Sequence, residues 1–360
     1  MKVGIFFCVT FAFMNVDYII VGCGLAGIAF CEQLFAANKT FVVFDNLSQQ
    51  SSVVAGGLYN PVVLKRFTSV WKSKEQLDLA LPMYHSIEEK LQIKIDYKIP
   101  VYRRFTSLEE QNNWFTASDN PLLTEHLSST IIKNNNSFIN AEYGFGEVLN
   151  TGRIDTNTLT TSYRKYLHEN NQLIEEAFNY EGLQQSDNSI SYKDISATHI
   201  VFSEGFGLKQ NPFFNYLPLK ESKGELITIH APELKMDYIL KSSVFVSPLG
   251  NNLYHIGATY NWKDKTNVIT KDGREELLNK LKTFLNCPFD VVDQVAGIRP
   301  TVKDRRPLVG RHPENKNLFV LNGLGTRGVM IGPYVAKQLF NFIENKIPLE
   351  NEIDINRFDF

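Results

Sequence analysis

The hydrophobic pattern organises the chain before any single residue does. Residues 18–21 form a continuous apolar run that ends at a glycine, residues 25–34 are good helix formers, and residues 40–44 form a second apolar run that ends at Asp45. Strand, glycine turn, helix and strand over about thirty residues predict a β-α-β unit. Residues 73–92 are polar with Leu77, Leu79, Leu81, Tyr84, Ile87 and Leu91 at helical spacing. Residues 93–150 alternate weakly and are rich in turn formers, which predicts short antiparallel strands on a second lobe. A helix is expected over 155–169, with Asp155 or Thr156 as its N-cap. A short buried strand over 199–202 ends at Ser203-Glu204-Gly205. From residue 224 to 260 the pattern is β, with strands over 225–229, 238–246 and 253–259 and a turn at Gly250-Asn251-Asn252. An amphipathic helix over 271–285, strands over 291–297 and 318–321, and a closing helix over 328–345 complete the chain. Strand–helix alternation at both ends around a β-rich middle predicts an α/β protein. Its Rossmann-like nucleotide domain is interrupted by an α+β substrate lobe with an antiparallel sheet. The expected division is 14–92, 150–210 and 296–360 for the first domain, and 93–149 and 211–295 for the second.

Composition narrows the function classes. A chain of 360 residues can bury one large or two modest cores, and 43% hydrophobic with 21% charged residues excludes global disorder. A formal net charge of −2 gives no overall pull toward nucleic acid or acidic membranes. Cys8, Cys23, Cys31 and Cys287 show neither CxxC nor CxxH spacing, which argues against a zinc site and a disulfide framework. No metal is expected, and a reducing, cytoplasmic location fits best. Lys2 and the apolar run over 4–13 resemble the start of a signal peptide, but no small-residue cleavage site follows. The expectation is an over-extended start with Met14 as the natural initiator, in preference to an export signal. The run is also shorter than the ~20 residues a membrane span requires.

The first candidate chemistry lies in Gly22-Cys23-Gly24-Leu25-Ala26-Gly27, a GxGxxG between strand and helix. Gly22 permits the tight turn, Gly24 lets the backbone approach a pyrophosphate, and Gly27 lets the helix pack on the strand. The helix N-terminus, at Leu25 and Ala26, offers N–H groups and partial positive charge to phosphates. Asp45, eighteen residues after Gly27, can accept hydrogen bonds from a ribose 2′-OH and would repel a 2′-phosphate. Cys23 reads as a small tolerated residue. The loop does not separate NAD from FAD.

Further segments do, through resemblance. Ala55-Gly56-Gly57-Leu58, Gly152-Arg153-Ile154-Asp155, residues 200–205, Leu217-Pro218-Leu219 with Lys223-Gly224-Glu225, and Gly257-Ala258-Thr259 resemble stretches of the FAD-dependent D-amino-acid-oxidase-like superfamily. The most specific pieces are residues 297–310, Gly-Ile-Arg-Pro-Thr-Val-Lys-Asp-Arg-Arg-Pro-Leu-Val-Gly, and Gly323-Leu324-Gly325-Thr326-Arg327-Gly328 before a helix. The chain is similar to bacterial glycine oxidases and to the FAD oxidase half of the bifunctional enzyme that makes 5-methylaminomethyl-2-thiouridine in tRNA. It departs from the pattern at Thr156, where proline is usual, and at Glu204, where a small residue is usual.

The resemblance implies an FAD-binding domain with a non-covalent flavin, since no cysteine lies between Arg299 and the C-terminus. It places Gly56, Gly57 and Leu58 where the chain passes the isoalloxazine, and Glu204 and Gly205 beside the cofactor. Gly325, Thr326, Arg327, Gly328 and Val329 fall where backbone N–H groups would stabilise negative charge on a reduced flavin. Arg299 matches the arginine that pairs with a substrate carboxylate, a task that suits a bidentate guanidinium. Tyr59, Tyr254 and Tyr260 are candidates to line the pocket, whereas the seven scattered histidines read as structural. The implied activity is oxidation of the C–N bond of a glycine-like amino acid or secondary amine. Two alternatives are oxidation of the carboxymethylaminomethyl group on a tRNA wobble uridine and a non-catalytic FAD-binding role. Arg327 directly before Gly328, and Leu58-Tyr59-Asn60-Pro61 followed by Lys65 and Arg66, resemble the tRNA enzyme. That basic pair could meet phosphates or sit in a solvated turn.

Overall fold

The structure is a computed structural model and describes residues 14–358. The expectation about residues 1–13 lies outside the described residues. One eight-stranded sheet is built on a parallel core, in the order Leu173–Ile174, Phe41–Phe44, Met14–Val21, Ile195–Phe202. The far edge of Ile195–Phe202 is shared. Its first half pairs antiparallel with Ile190–Tyr192, and its second half pairs parallel with Leu318–Asn322. The apolar run at residues 18–21 is continuous because both faces of its strand are covered. Tyr18 and Ile20 enter the helical layer, and Ile19 and Val21 enter the opposite core.

Three helices on the first of these faces, Leu25–Ala36, Ser73–Leu91 and Thr156–Glu169, meet at one buried acid. Lys90 Nζ approaches the two Glu32 oxygens at 2.6 and 2.8 Å, and the Tyr163 hydroxyl donates to Glu32 at 2.6 Å. A buried carboxylate is tolerable only when it is paired and hydrogen-bonded, and these partners meet that need. The closing helix, Gly328–Glu344, packs so tightly on Leu25–Ala36 that a Cβ on Gly328 would lie 3.0 Å from the Leu25 side chain. Two helix N-termini are thereby brought side by side.

The second sheet also has eight strands, in the order Asp290–Val302, Leu219–His230, Leu253–Gly257, Phe245–Gly250, Ile239–Lys241, Val101–Arg104, Phe145–Val148, Leu127–Ile132. It is antiparallel except where Ile239–Lys241 runs parallel to Val101–Arg104. A three-stranded sheet of Leu58–Tyr59, Gly152–Ile154 and Asp96–Tyr97 is a separate, smaller element. The α/β class with an antiparallel second sheet is as expected. Among the described residues, no helix is long and apolar enough to cross a membrane.

Three local expectations are corrected. Residues 238–246 form two strands, because the chain reverses at Ser242–Val244 and pairs Lys241 with Phe245. The strand expected over 291–297 runs on to Val302, crossing the domain boundary drawn at 296. Residues 93–150 contain a helix, Leu108–Ser118, where only strands were expected. Its signal is a capping box: Ser107 Oγ accepts from the Glu110 amide at 3.2 Å, and Glu110 reaches back to the Thr106 amide at 2.8 Å. Ser107→Ala should therefore lower stability by about 1 kcal/mol, seen as a small drop in urea midpoint with unchanged slope.

Candidate functional site

A cavity of about 590 Å³ runs between the two sheets. Of the residues expected to hold the cofactor or the substrate carboxylate, all but Gly27 line it: Gly22, Gly24, Leu25, Ala26, Asp45, Gly56, Gly57, Leu58, Glu204, Gly205, Gly325, Thr326, Arg327, Gly328, Val329 and Arg299. Gly27 acts from behind the wall. A Cβ there would sit 2.0 Å from the Gly22 carbonyl oxygen, so only glycine lets the helix start this close to the turn. Gly22 has φ +103°, and a Cβ would lie 2.5 Å from the Ser203 carbonyl oxygen. These two glycines keep the helix N-terminus open toward the cavity.

The helices Leu108–Ser118, Thr156–Glu169 and Lys271–Leu281 are capped by Ser107, Asp155 and Thr270 side chains. The two whose N-termini open on the cavity, Leu25–Ala36 and Gly328–Glu344, have no such cap. Their partial positive charge is directed into the cavity, where an anionic ligand would complement it. Ser52 Oγ accepts from the Leu25 amide at 3.0 Å and adds a hydroxyl at the same place.

Asp45 is more engaged than the sequence implied. Its oxygens accept from the Cys23 amide at 2.5 Å and the Leu47 amide at 2.8 Å, and Arg164 Nη1 donates to it at 2.6 Å. Arg164 is buried, with its side chain 9% exposed, and also reaches Glu175 at 3.0 Å. A carboxylate has about four acceptor positions, so one remains for a ligand hydroxyl. The neighbouring guanidinium offsets the charge that was expected to repel a 2′-phosphate. Cys23 also faces the cavity, but burial, with Asp45 adding to it, pushes its thiol up to about 12, so it is inert. Burial likewise pushes the Glu204 carboxyl up to about 7, against the hydrogen bonds from Asn211 at 2.7 Å and from Tyr180. Its side chain is held by the protein itself.

At the other end of the cavity, strand alternation builds a slot. Lys223 and Glu225 are buried on one face of Leu219–His230. Lys223 Nζ reaches Asp264 at 2.6 Å, and Glu225 accepts from the Thr270 amide at 2.9 Å. Gly224 between them faces the cavity, and the Arg299 guanidinium fills the space its missing side chain leaves. A Cβ on Gly224 would lie 1.8 Å from Arg299 Nη2. Arg299 donates to the Thr259 carbonyl at 3.2 Å and lies 4.6 Å over the Tyr260 ring. Burial pulls both Arg299 and Arg327 below the ordinary guanidinium value, and Tyr260 counters this in each case. Of the three tyrosines considered, only Tyr260 lines the cavity. Tyr59 instead donates to Asp96 at 2.8 Å, and Tyr254 accepts from the Met236 amide at 3.2 Å. Sequence reasoning missed Arg164, Ser52 and Lys241, all on the cavity wall.

The geometry fits an elongated dinucleotide with phosphates at the Gly22–Ala26 turn and a ring system between Gly56–Leu58 and Gly325–Val329. Glycine oxidase of Bacillus subtilis (strain 168) is 28% identical over 160 residues, 42% of this chain and 43% of that enzyme. The tRNA 5-methylaminomethyl-2-thiouridine biosynthesis bifunctional protein of Marinobacter nauticus is 24% identical over 183 residues, 45% of this chain and 29% of that protein. These matches thus span less than half the length of either relative. In structure, glycine oxidase from Geobacillus kaustophilus superposes with a TM-score of 0.79 at 18% identity, over 96% of this chain and all of that one. Iminodiacetate oxidase from Chelativorans sp. BNC1 superposes with a TM-score of 0.73 at 16% identity, over 94% of this chain and 98% of that one. Residues 17–341 match the family described as FAD dependent oxidoreductase, and the chain belongs to that family.

Proposed function

We propose that the chain oxidises the C–N bond of a glycine-like amino acid or secondary amine. The observation that carries this reading is Arg299: a half-buried guanidinium held over Gly224 and Tyr260, with no acidic partner among the described residues, on the cavity wall it shares with the Gly328 helix N-terminus. Non-covalent FAD, which would be held by Gly22, Gly24, Leu25, Ala26, Asp45, Gly56, Gly57, Leu58, Glu204, Gly205 and residues 325–329, supplies a two-electron acceptor there. Arg299 takes the substrate carboxylate with a bidentate fork and so fixes the orientation of the adjacent C–H. The substrate becomes an imine as the C–H hydride passes to that two-electron acceptor and the N–H proton to solvent, and water then hydrolyses the imine to a carbonyl and a free amine. Gly325–Val329 and the following helix supply N–H groups where negative charge develops. We assign residues 14–92, 150–210 and 296–360 to the cofactor lobe and residues 93–149 and 211–295 to the substrate lobe. A reducing, cytoplasmic setting suits Cys23, Cys31 and Cys287, which are free and buried among the described residues.

Gly224 makes this reading testable without touching the guanidinium itself. The atoms a new Cβ would meet are the far end of Arg299, so Gly224→Ala should fold normally yet displace the fork. A loss of about 10–100-fold in kcat/KM is expected, because misplacement of about 1 Å is costly. Unchanged kinetics would mean that the guanidinium position is immaterial.

A second reading, oxidation of a carboxymethylaminomethyl group on a tRNA wobble uridine, is favoured by Arg327 on the cavity wall directly before Gly328. That group is itself an N-substituted glycine, so Arg299 would hold the same carboxylate. The deciding experiment is anaerobic flavin bleaching with glycine, sarcosine, proline and a carboxymethylaminomethyl-modified anticodon stem. Bleaching by the small amines supports the first reading, and bleaching by the RNA alone supports the second.

A further inference from the structure

The cavity is electrically lopsided. Its acidic wall residues, Asp45, Glu176 and Glu204, cluster near the Gly22 turn, and each is engaged there. Asp45 meets Arg164, Glu176 meets Lys193 at 2.5 Å, and Glu204 takes Asn211 and Tyr180. The opposite end holds Arg299, Arg327 and Lys241, with Lys65 exposed at the rim and no acidic residue on the wall among the described residues.

Lys241 sits there because the chain reverses at Ser242–Val244, which pairs it with Phe245 and puts its ammonium 4.9 Å from that ring. The Phe245 ring in turn abuts Gly56 and Gly257, so the ammonium lies beside the segment expected to pass the cofactor ring. Burial, then Arg103, Arg327 and Arg299, pull Lys241 down to about 8. Arg103 is neutralised by Glu110, but neither Arg327 nor Lys241 has a side-chain hydrogen-bond or ion-pair partner among the described residues. Clustered, partly desolvated cations are unfavourable unless a ligand brings the matching anions.

Two of the three cations already have an anion to meet. Arg299 would face the substrate carboxylate, and Arg327, at the N-cap of Gly328–Glu344, would adjoin the negative charge of a reduced flavin. Lys241 is left over. We propose that Lys241 receives a second anionic group, so that the substrate is an N-carboxymethyl amine carrying a second carboxylate. This rests on the reading that Arg299 holds the first. The second anion belongs to a small molecule rather than to an RNA backbone, because Lys241 lines the same cavity as Arg299 and Arg327. Both carboxylates therefore sit on one molecule small enough for that cavity.

Binding of non-oxidisable ethers to the holoprotein tests this through the flavin absorbance change, with no turnover. Diglycolate carries two carboxylates, and methoxyacetate is the same framework with one. Wild-type protein should hold diglycolate at least about tenfold tighter, a difference of about 1.4 kcal/mol. Lys241→Met should collapse that ratio to within about twofold. Lys241→Arg should keep most of it, because a guanidinium holds an anion but cannot exchange a proton near neutrality. A wild-type ratio near one, a ratio unchanged in Lys241→Met, or a Lys241→Arg that behaves like Lys241→Met would overturn the proposal. So would a flavin response to the modified anticodon stem alone. Arg299→Ala separates the two layers. If it binds methoxyacetate as well as wild type, the reading of Arg299 itself falls. If it loses both ligands while Lys241→Met keeps the wild-type ratio, only the role of Lys241 falls.

Discussion

Replacing Arg299 by alanine is expected to lower kcat/KM for glycine-type substrates by about 10²–10³-fold while the protein retains its flavin. The side chain contributes one hydrogen bond, to the Thr259 carbonyl, and one ring contact, with Tyr260, to the fold. Its removal should therefore cost little stability. Its loss to binding is larger, because truncating one side of a desolvated charge pair costs about 2–5 kcal/mol. Arg299→Lys should fall between the two, keeping the charge and losing the planar fork. Anaerobic stopped-flow measurement of flavin reduction separates binding from the chemical step. Rates and saturation unchanged in Arg299→Ala would show that the carboxylate is held elsewhere.

Asp45→Ala should strip the cofactor and lower stability by about 3 kcal/mol or more. Removing one partner of a buried ion pair typically costs about 3–5 kcal/mol, because the other charge stays behind unpaired. Arg164 would be left with Glu175, whose side chain is 57% exposed and therefore a weak substitute. The Cys23 amide would lose its acceptor as well, which loosens the turn between Gly22 and Leu25. Flavin per chain after gel filtration and the urea midpoint report the two effects separately. A second variant distinguishes them further: Asp45→Ala combined with Arg164→Met should recover much of the stability but not the flavin. Full flavin occupancy in Asp45→Ala would remove Asp45 from the cofactor site.

The parts of the site that were legible in the sequence are those with a local signature. Gly22, Gly24 and Gly27 are readable because a turn, a helix start and a strand must share a few residues, and each demands glycine for its own steric reason. Arg299 and the residues at 325–329 were legible only through resemblance, since nothing local distinguishes them from other loop residues. Arg164 had no signature at all: it meets Asp45 across 119 positions of sequence, through the packing of one helix against a strand end. Lys241 was hidden by a wrong strand. A continuous run over 238–246 makes it one of several alternating residues, and only the reversal at Ser242–Val244 turns it toward the cavity. The helix at Leu108–Ser118 was readable in principle from Ser107 and Glu110, but its single buried large residue, Trp114, gives no apolar period to announce it.

The long strand Asp290–Val302 has a mechanical consequence. It is laddered to Leu219–His230 along nearly its whole length, while its last residue, Val302, is embedded in the core beneath the first sheet. The Gly325 amide also ties back to the Pro300 carbonyl at 3.0 Å. The strand thus acts as a strut that crosses between the two halves, and it carries Arg299 near its end. Opening the halves like a clamshell would have to bend this strand or pull Val302 out of the first core, so traffic into the cavity falls to rim segments such as 261–269, where Asn267 donates to the carbonyl of the cavity residue Ser48 at 3.4 Å and Trp262, Val268 and Ile269 are exposed. A crosslink locking that rim should slow ligand exchange, whereas one joining the two halves should not.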